Sequence, residues 1–207
     1  LPIIWEYDTT RNVLVLEKAS GDRELRGHQL RTGRFSRAIG SAIGDALASL
    51  HREIAGWSPG TTERPPWLLS IHQPGVSISR NSSAAALEVI RIVQSAPELA
   101  RGLDTLRRGW EPSCLIHHDV KWENLIACPD ARRRRRTPRL KIIDWETAQR
   151  GDPRWDLGSM FSHYLSLWLF SIPSTGRDPP ERFPELARFP LTRMQPAIAA
   201  CWSAYRR

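Results

Sequence analysis

Apolar residues return along this chain in three different rhythms. Near the start, Ile3 to Tyr7 and Val13 to Glu17 are short β-branched and aromatic runs joined by Asp8-Thr-Thr-Arg-Asn12, a polar stretch that predicts a turn and so a β-hairpin. After the break at Ser20-Gly21-Asp22, Ile39, Ile43, Ala46, Leu47 and Leu50 recur at helical offsets and predict a helix packed along that stripe. Ala85 to Val93 predicts another helix, and Pro97 the first turn of the next, whose buried face would carry Leu99, Leu103 and Leu106. Ser58 to Pro66 reads as a Pro and Gly rich loop, and the pattern of Gln73 to Ser79 is too irregular to assign an element. From Cys114 the rhythm shortens, with apolar Cys114-Leu-Ile116, Leu125-Ile-Ala-Cys128 and Leu140-Lys-Ile-Ile143 predicting short strands around a polar loop. Trp155 to Phe170 predicts a long buried helix, Pro173 to Pro190 a proline-rich loop, and Leu191 to Tyr205 a last helix kinked or started near Pro196.

Composition narrows the class without naming a chemistry. A chain of 207 residues with 41% apolar and 25% charged positions can bury a core, so one domain, or one plus part of another, is expected. Cys114, Cys128 and Cys201 are odd in number and lack ligand spacing, which fits a reduced, cytoplasmic protein. Leu157 to Ile172 has no formal charge but holds His163 and four serines, and it is shorter than the roughly 20 apolar residues of a membrane span, so no membrane role is expected. The net charge of +8 favours anionic partners such as nucleotide phosphates. Arg132 to Arg136 reads as a solvated hairpin tip, with an anion contact as the alternative; nucleic acid is disfavoured because no aromatic platform accompanies the run.

Chemistry concentrates in Leu115-Ile-His-His-Asp-Val-Lys-Trp-Glu-Asn124 and Ile142-Ile-Asp-Trp-Glu146. Phosphoryl transfer asks a protein to position a nucleophile, hold magnesium on the phosphates and offset charge as the leaving group departs. In that chemistry Asp119 is the candidate base, while Asn124 offers a neutral amide oxygen and Asp144 a full negative charge to a hard cation. His117, beside an apolar strand, reads as a satisfied core residue, and Trp122 as packed against the substrate lobe rather than as a stacking platform.

These residues resemble the aminoglycoside phosphotransferase and choline kinase-like family, a branch of the protein kinase-like fold. Leu115 to Asp119 with Asn124 matches its catalytic loop, Ile143-Asp-Trp-Glu146 its metal-binding motif, and Gly151-Asp-Pro-Arg-Trp-Asp-Leu157 its Gly-Asp-Pro segment and following Asp. The resemblance implies an α+β fold: residues 1–20 as the end of the N-lobe, a β-hairpin and hinge, and residues 21–207 as the helical C-lobe. Within the latter it implies a catalytic loop at 115–128, a metal-binding strand at 140–146 and a helical substrate region at 155–207. It implies Asp119 as catalytic Asp, Asn124 and Asp144 as Mg2+ ligands, His117 as structural, and Asp156 as a buried brace of the catalytic loop. It further implies that Leu16 backs the adenine of ATP, Glu17 offers its carbonyl and Ala19 its N–H; without the resemblance, this stretch is an ordinary strand and turn.

Three departures stand out. His118 occupies a position where the family usually has Gly, so its ring must point away from the nucleotide or alter the loop. Lys121, where the family commonly has His, resembles the lysine of kinases that modify serine or threonine and is a candidate to touch the transferred phosphate. Such kinases also need a glycine-rich lid and a clamping lysine before the hinge; neither occurs, since Lys18, Lys121 and Lys141 are the only lysines, and a fragment lacking most of the N-lobe is expected. The resemblance implies a cytoplasmic, ATP-dependent kinase acting on a small-molecule hydroxyl. Alternatives are a peptide Ser/Thr kinase of ribosomal peptide maturation, suggested by Lys121, and a non-catalytic scaffold, suggested by the absent lobe.

Overall fold

A computed structural model describes residues 3–18, 23–54, 64–128, 138–173, 176 and 178–207. Ala19, the Arg132–Arg136 run and residues 58–63 of the expected loop lie outside the described residues. Strands β1 (Ile4–Asp8) and β2 (Val13–Leu16) form the expected antiparallel hairpin. Its turn is held by Asp8, whose Oδ1 accepts the N–H groups of Thr10 (2.9 Å) and Arg11 (3.0 Å), and Asn12 takes φ +51°, a conformation asparagine tolerates. Both faces of the hairpin are open: Trp5 is 67% and Leu14 50% exposed. A lone two-stranded ribbon is marginal in water, and these apolar side chains lie on the surface of the described residues.

Strand β3 (Arg23–Glu24) leads into α1 (Leu25–Thr32), a helix without a readable apolar stripe because Gln29 is buried beside Leu25. Helix α2 (Arg37–Glu53) does follow its stripe, with Ile43 and Leu47 fully buried. A 3-10 turn (Trp67–Ser70) precedes α3 (Val76–Asn81), α4 (Ala84–Gln94) and α5 (Pro97–Arg108). Gln73 to Ser79, which the sequence pattern leaves unassigned, holds the start of α3. One expectation fails here: α5 buries none of its described residues, and Leu99 and Leu106 are half exposed, with α4 and the 3-10 turn as the main neighbours of the helix.

Strands β4 (Cys114–Ile116), β5 (Leu125–Cys128), β6 (Arg139–Ile142) and β7 (Gln149–Gly151) form two small antiparallel sheets, β3-β5-β6 and β4-β7. Helix α6 (Arg154–Phe170) buries one face through Asp156, Leu157, Met160, Tyr164 and Leu167, while Leu165, Leu169 and Phe170 are exposed, so it is not buried all round as its composition predicts. The proline-rich loop contains a 3-10 turn (Pro180–Arg182) and the short α7 (Phe183–Leu186) before α8 (Leu191–Tyr205), which carries Pro196 inside it.

Helices α2 and α8 make the tightest junction. A Cβ on Gly40 would lie 2.2 Å from the Ala197 carbonyl oxygen, and one on Gly44 2.1 Å from that of Cys201. Glycine at both positions lets the backbones touch. Around this junction Trp122 meets Tyr164 edge to face at 4.7 Å, so the turn after the polar loop is anchored in the core. Among the described residues no helix is long and apolar enough to cross a membrane.

Candidate functional site

Strand β4 delivers His117 into the interior, where it is fully buried and doubly used. Its Nδ1 accepts the Asp119 N–H (3.3 Å), which leaves Nε2–H to donate to the Ile143 carbonyl (2.8 Å). The ring also meets Trp145 at 4.8 Å. One side chain thus ties the backbone before Asp119 to the backbone before Asp144. Asp156, also fully buried, accepts His117 N–H at Oδ2 (2.8 Å) and His118 N–H at Oδ1 (2.9 Å). A carboxylate gripping two successive amides is a rigid staple for the loop.

His118 has φ +70°, a conformation that favours glycine. Its ring turns onto Trp155, stacked at 5.5 Å with a 26° tilt, and Trp155 Nε1–H donates to the His118 carbonyl (3.1 Å). Burial lowers its pKa, against the opposing pull of Asp156 and Asp119. The imidazole is therefore held on α6.

Asp119 Oδ2 accepts from Lys121 Nζ and from Asn124 Nδ2 (3.3 Å), and Asn124 Nδ2 also donates to the Asp119 carbonyl (3.0 Å). The Lys121 pKa is raised, first by that bond to Asp119 and then by the charges of Asp119, Asp144 and Glu123. Asn124 is nearly buried at 4% exposure, and with its amide nitrogen committed to Asp119 the group it could offer a cation is its side-chain oxygen. Its carbonyl accepts the Ile143 N–H (3.0 Å), extending the β5-β6 register in which Leu125 faces Ile142. This extension carries Asp144 to the same end of the sheet. The strand stops at Ile142, earlier than the 140–146 reading, and Asp144 is exposed at φ +67°. Among the described residues no three His, Cys, Asp or Glu gather as a metal cluster. One carboxylate and one amide oxygen fit a hard cation such as Mg2+ that keeps waters and phosphate oxygens in most of its shell.

At the hairpin end Leu16 is 40% exposed, and Glu17 pairs through its carboxylate with Lys141 on β6 (3.8 Å), two strand positions before Ile143. Sequence reading missed that link. It also missed His51, whose Nε2 lies 3.1 Å from Asp156 Oδ2 and whose Nδ1 lies 2.9 Å from the Tyr205 hydroxyl. A signal existed: His51 continues the Ile43, Leu47 stripe at the next interval of four, and a polar residue on a buried stripe needs a partner. Trp155 was readable only as part of a motif.

Residues 22–178 match the profile described as the phosphotransferase enzyme family, more than half of the chain. Among solved structures, a choline kinase from Streptococcus pneumoniae is 20% identical, with a TM-score of 0.51 and coverage of 99% of this chain and 66% of its own. An ethanolamine kinase from Plasmodium vivax is 17% identical, with a TM-score of 0.52 and coverage of 99% and 61%. A choline/ethanolamine kinase family protein from Mesorhizobium loti is 18% identical, with a TM-score of 0.50 and coverage of 99% and 64%. This chain spans 61–66% of the length of these structures. At such identities the likeness is one of fold, the kinase-like α+β fold expected from the motifs. No curated protein matches the chain.

Proposed function

This chain belongs to the phosphotransferase enzyme family, and on that premise we propose that it transfers the γ-phosphate of ATP to a hydroxyl group of a small molecule. The observation that carries the reading is the close grouping of Asp119, Lys121 and Asn124, with Asp144 brought alongside by the Ile143 to Asn124 hydrogen bond. Asp119 accepts the acceptor's proton and aims its oxygen. The acceptor O–H bond breaks, the oxygen forms a bond to the γ-phosphorus, and the bond from that phosphorus to the bridging oxygen breaks with its electrons leaving on ADP. Lys121 offsets negative charge on the moving phosphoryl group. Asn124 and Asp144 would hold Mg2+, which when bound neutralises phosphate charge. Leu16, Glu17 and Ala19 are proposed to face the adenine.

Lys121, which resembles the lysine of kinases that modify serine or threonine, supports a second acceptor class, the serine or threonine of a peptide. The two classes separate when the purified protein is given Mg·ATP with either a panel of hydroxylated metabolites or hydroxyl-bearing peptides. In either case Asp119→Asn should lower kcat about 10²-fold to 10⁴-fold. Equal turnover by the variant would remove Asp119 as the base.

A further inference from the structure

A cavity of about 330 Å³ opens between the 3-10 turn at Trp67–Ser70, helix α5 and the first turns of α6. That volume suits a small molecule. Leu68, Leu69, Leu106, Trp110, Trp155 and Ser159 form its walls, and the two indoles meet edge to face at 6.2 Å. The charges at its rim are spent on each other. Asp152 takes the Arg154 guanidinium on both oxygens, together with the N–H groups of Glu111 (3.0 Å) and Arg154 (2.9 Å). A ligand cation here would meet the Arg154 guanidinium and no uncompensated carboxylate from that pair, while a neutral body would bury its apolar surface against the tryptophans and leucines.

The cavity is joined to the catalytic loop through one of its walls, Trp155. Trp155 belongs to its wall, stacks on His118 and donates to the His118 carbonyl, and Asp119 is the next residue. Ser162 lines the same space one turn further along α6. Its neighbour His163 has Glu123, Asp119 and Lys121 among the charges acting on it, although burial is what chiefly lowers its pKa. Cavity and base therefore share the first half of α6.

We propose that this cavity is the acceptor pocket and that it takes the apolar or aromatic body of an uncharged alcohol, with the hydroxyl directed toward Asp119. The assignment deepens the phosphotransferase reading and rests on it. Calorimetric titration of the protein with 2-(4-hydroxyphenyl)ethanol, choline and kanamycin, without nucleotide, measures ligand class apart from turnover. The neutral aromatic alcohol should bind at least ten-fold more tightly than either cation. Ser159→Trp, which fills the space, and Leu106→Asp, which charges a half-exposed wall position, should each weaken it at least ten-fold with circular dichroism unchanged. Equal affinity for choline or kanamycin, no binding of the aromatic alcohol at millimolar concentration, or indifference of both variants would overturn the pocket assignment. Binding that both variants abolish, together with no Mg·ATP-dependent phosphorylation of any alcohol, would instead bring down the phosphotransferase reading and with it the acceptor role, leaving a neutral-ligand site.

Discussion

His118 sits in a glycine conformation and keeps a side chain there by giving its ring a second task. The left-handed backbone costs on the order of 1 kcal/mol, and stacking on Trp155 offsets a similar amount. Two substitutions separate these effects. His118→Ala retains the strain and loses the stack, so it should be the less stable; His118→Gly releases the strain and should be more stable than the alanine variant by about 1 kcal/mol in urea unfolding. The reverse order would show that the backbone strain is negligible, and an alanine variant as stable as the wild type would show that the ring contributes nothing. At this scale much was readable, because Asp119, Asn124 and Asp144 interrupt apolar strands in a fixed order. The positive φ of His118 and Asp144 was not, since backbone conformation of that kind leaves a trace only where glycine occupies the position.

Helices α2 and α8 show how elements rather than single residues hold the loop. Their contact through Gly40 and Gly44 leaves no room for a methyl group, so Gly44→Ala should destabilise by about 1–3 kcal/mol. Gly102→Ala in α5 meets nothing within 4 Å and should stabilise by roughly 0.5–1 kcal/mol through helix propensity alone. Thermal melts of the pair test the junction directly. The same two helices reach the catalytic loop through Tyr205, His51 and Asp156, a chain of hydrogen bonds of 2.9 and 3.1 Å that ends on the His117 and His118 amides. Tyr205→Phe deletes one hydroxyl, and the expected outcome is a loss of about 1 kcal/mol, with kcat affected more than the KM for ATP. A fall in KM affinity alone would assign Tyr205 elsewhere. Helix α2 was legible from its stripe, whereas α1 was not, because Gln29 takes an interior position that periodicity assigns to an apolar residue.

Across the whole molecule, Asp152, His118 and His163 make stability depend on pH in the same direction. Asp152 is held below the usual carboxylate range: burial alone would raise it, but the Arg154 side chain and the backbone N–H groups of Glu111 and Arg154 outweigh that. A depressed folded pKa means the stabilisation is present above the unfolded value and is lost as pH falls through the folded one. His118, whose pKa burial lowers, resists protonation in the folded state, so it too weakens the fold as pH drops below about 6.5. The melting temperature should therefore fall between pH 7 and 5, less steeply in His118→Ala, and fall again below about pH 4, where Asp152→Asn should remove most of the second limb. A variant profile parallel to the wild type would exclude these groups. Local order in the chain was enough for the hairpin, the α2 stripe, the strands and the three polar residues between them, because each depends on neighbours a few positions away. Which helix face is covered, where His118 turns and how His51 meets Asp156 across 105 positions depend on elements that become neighbours only after folding, and packing alone decides them.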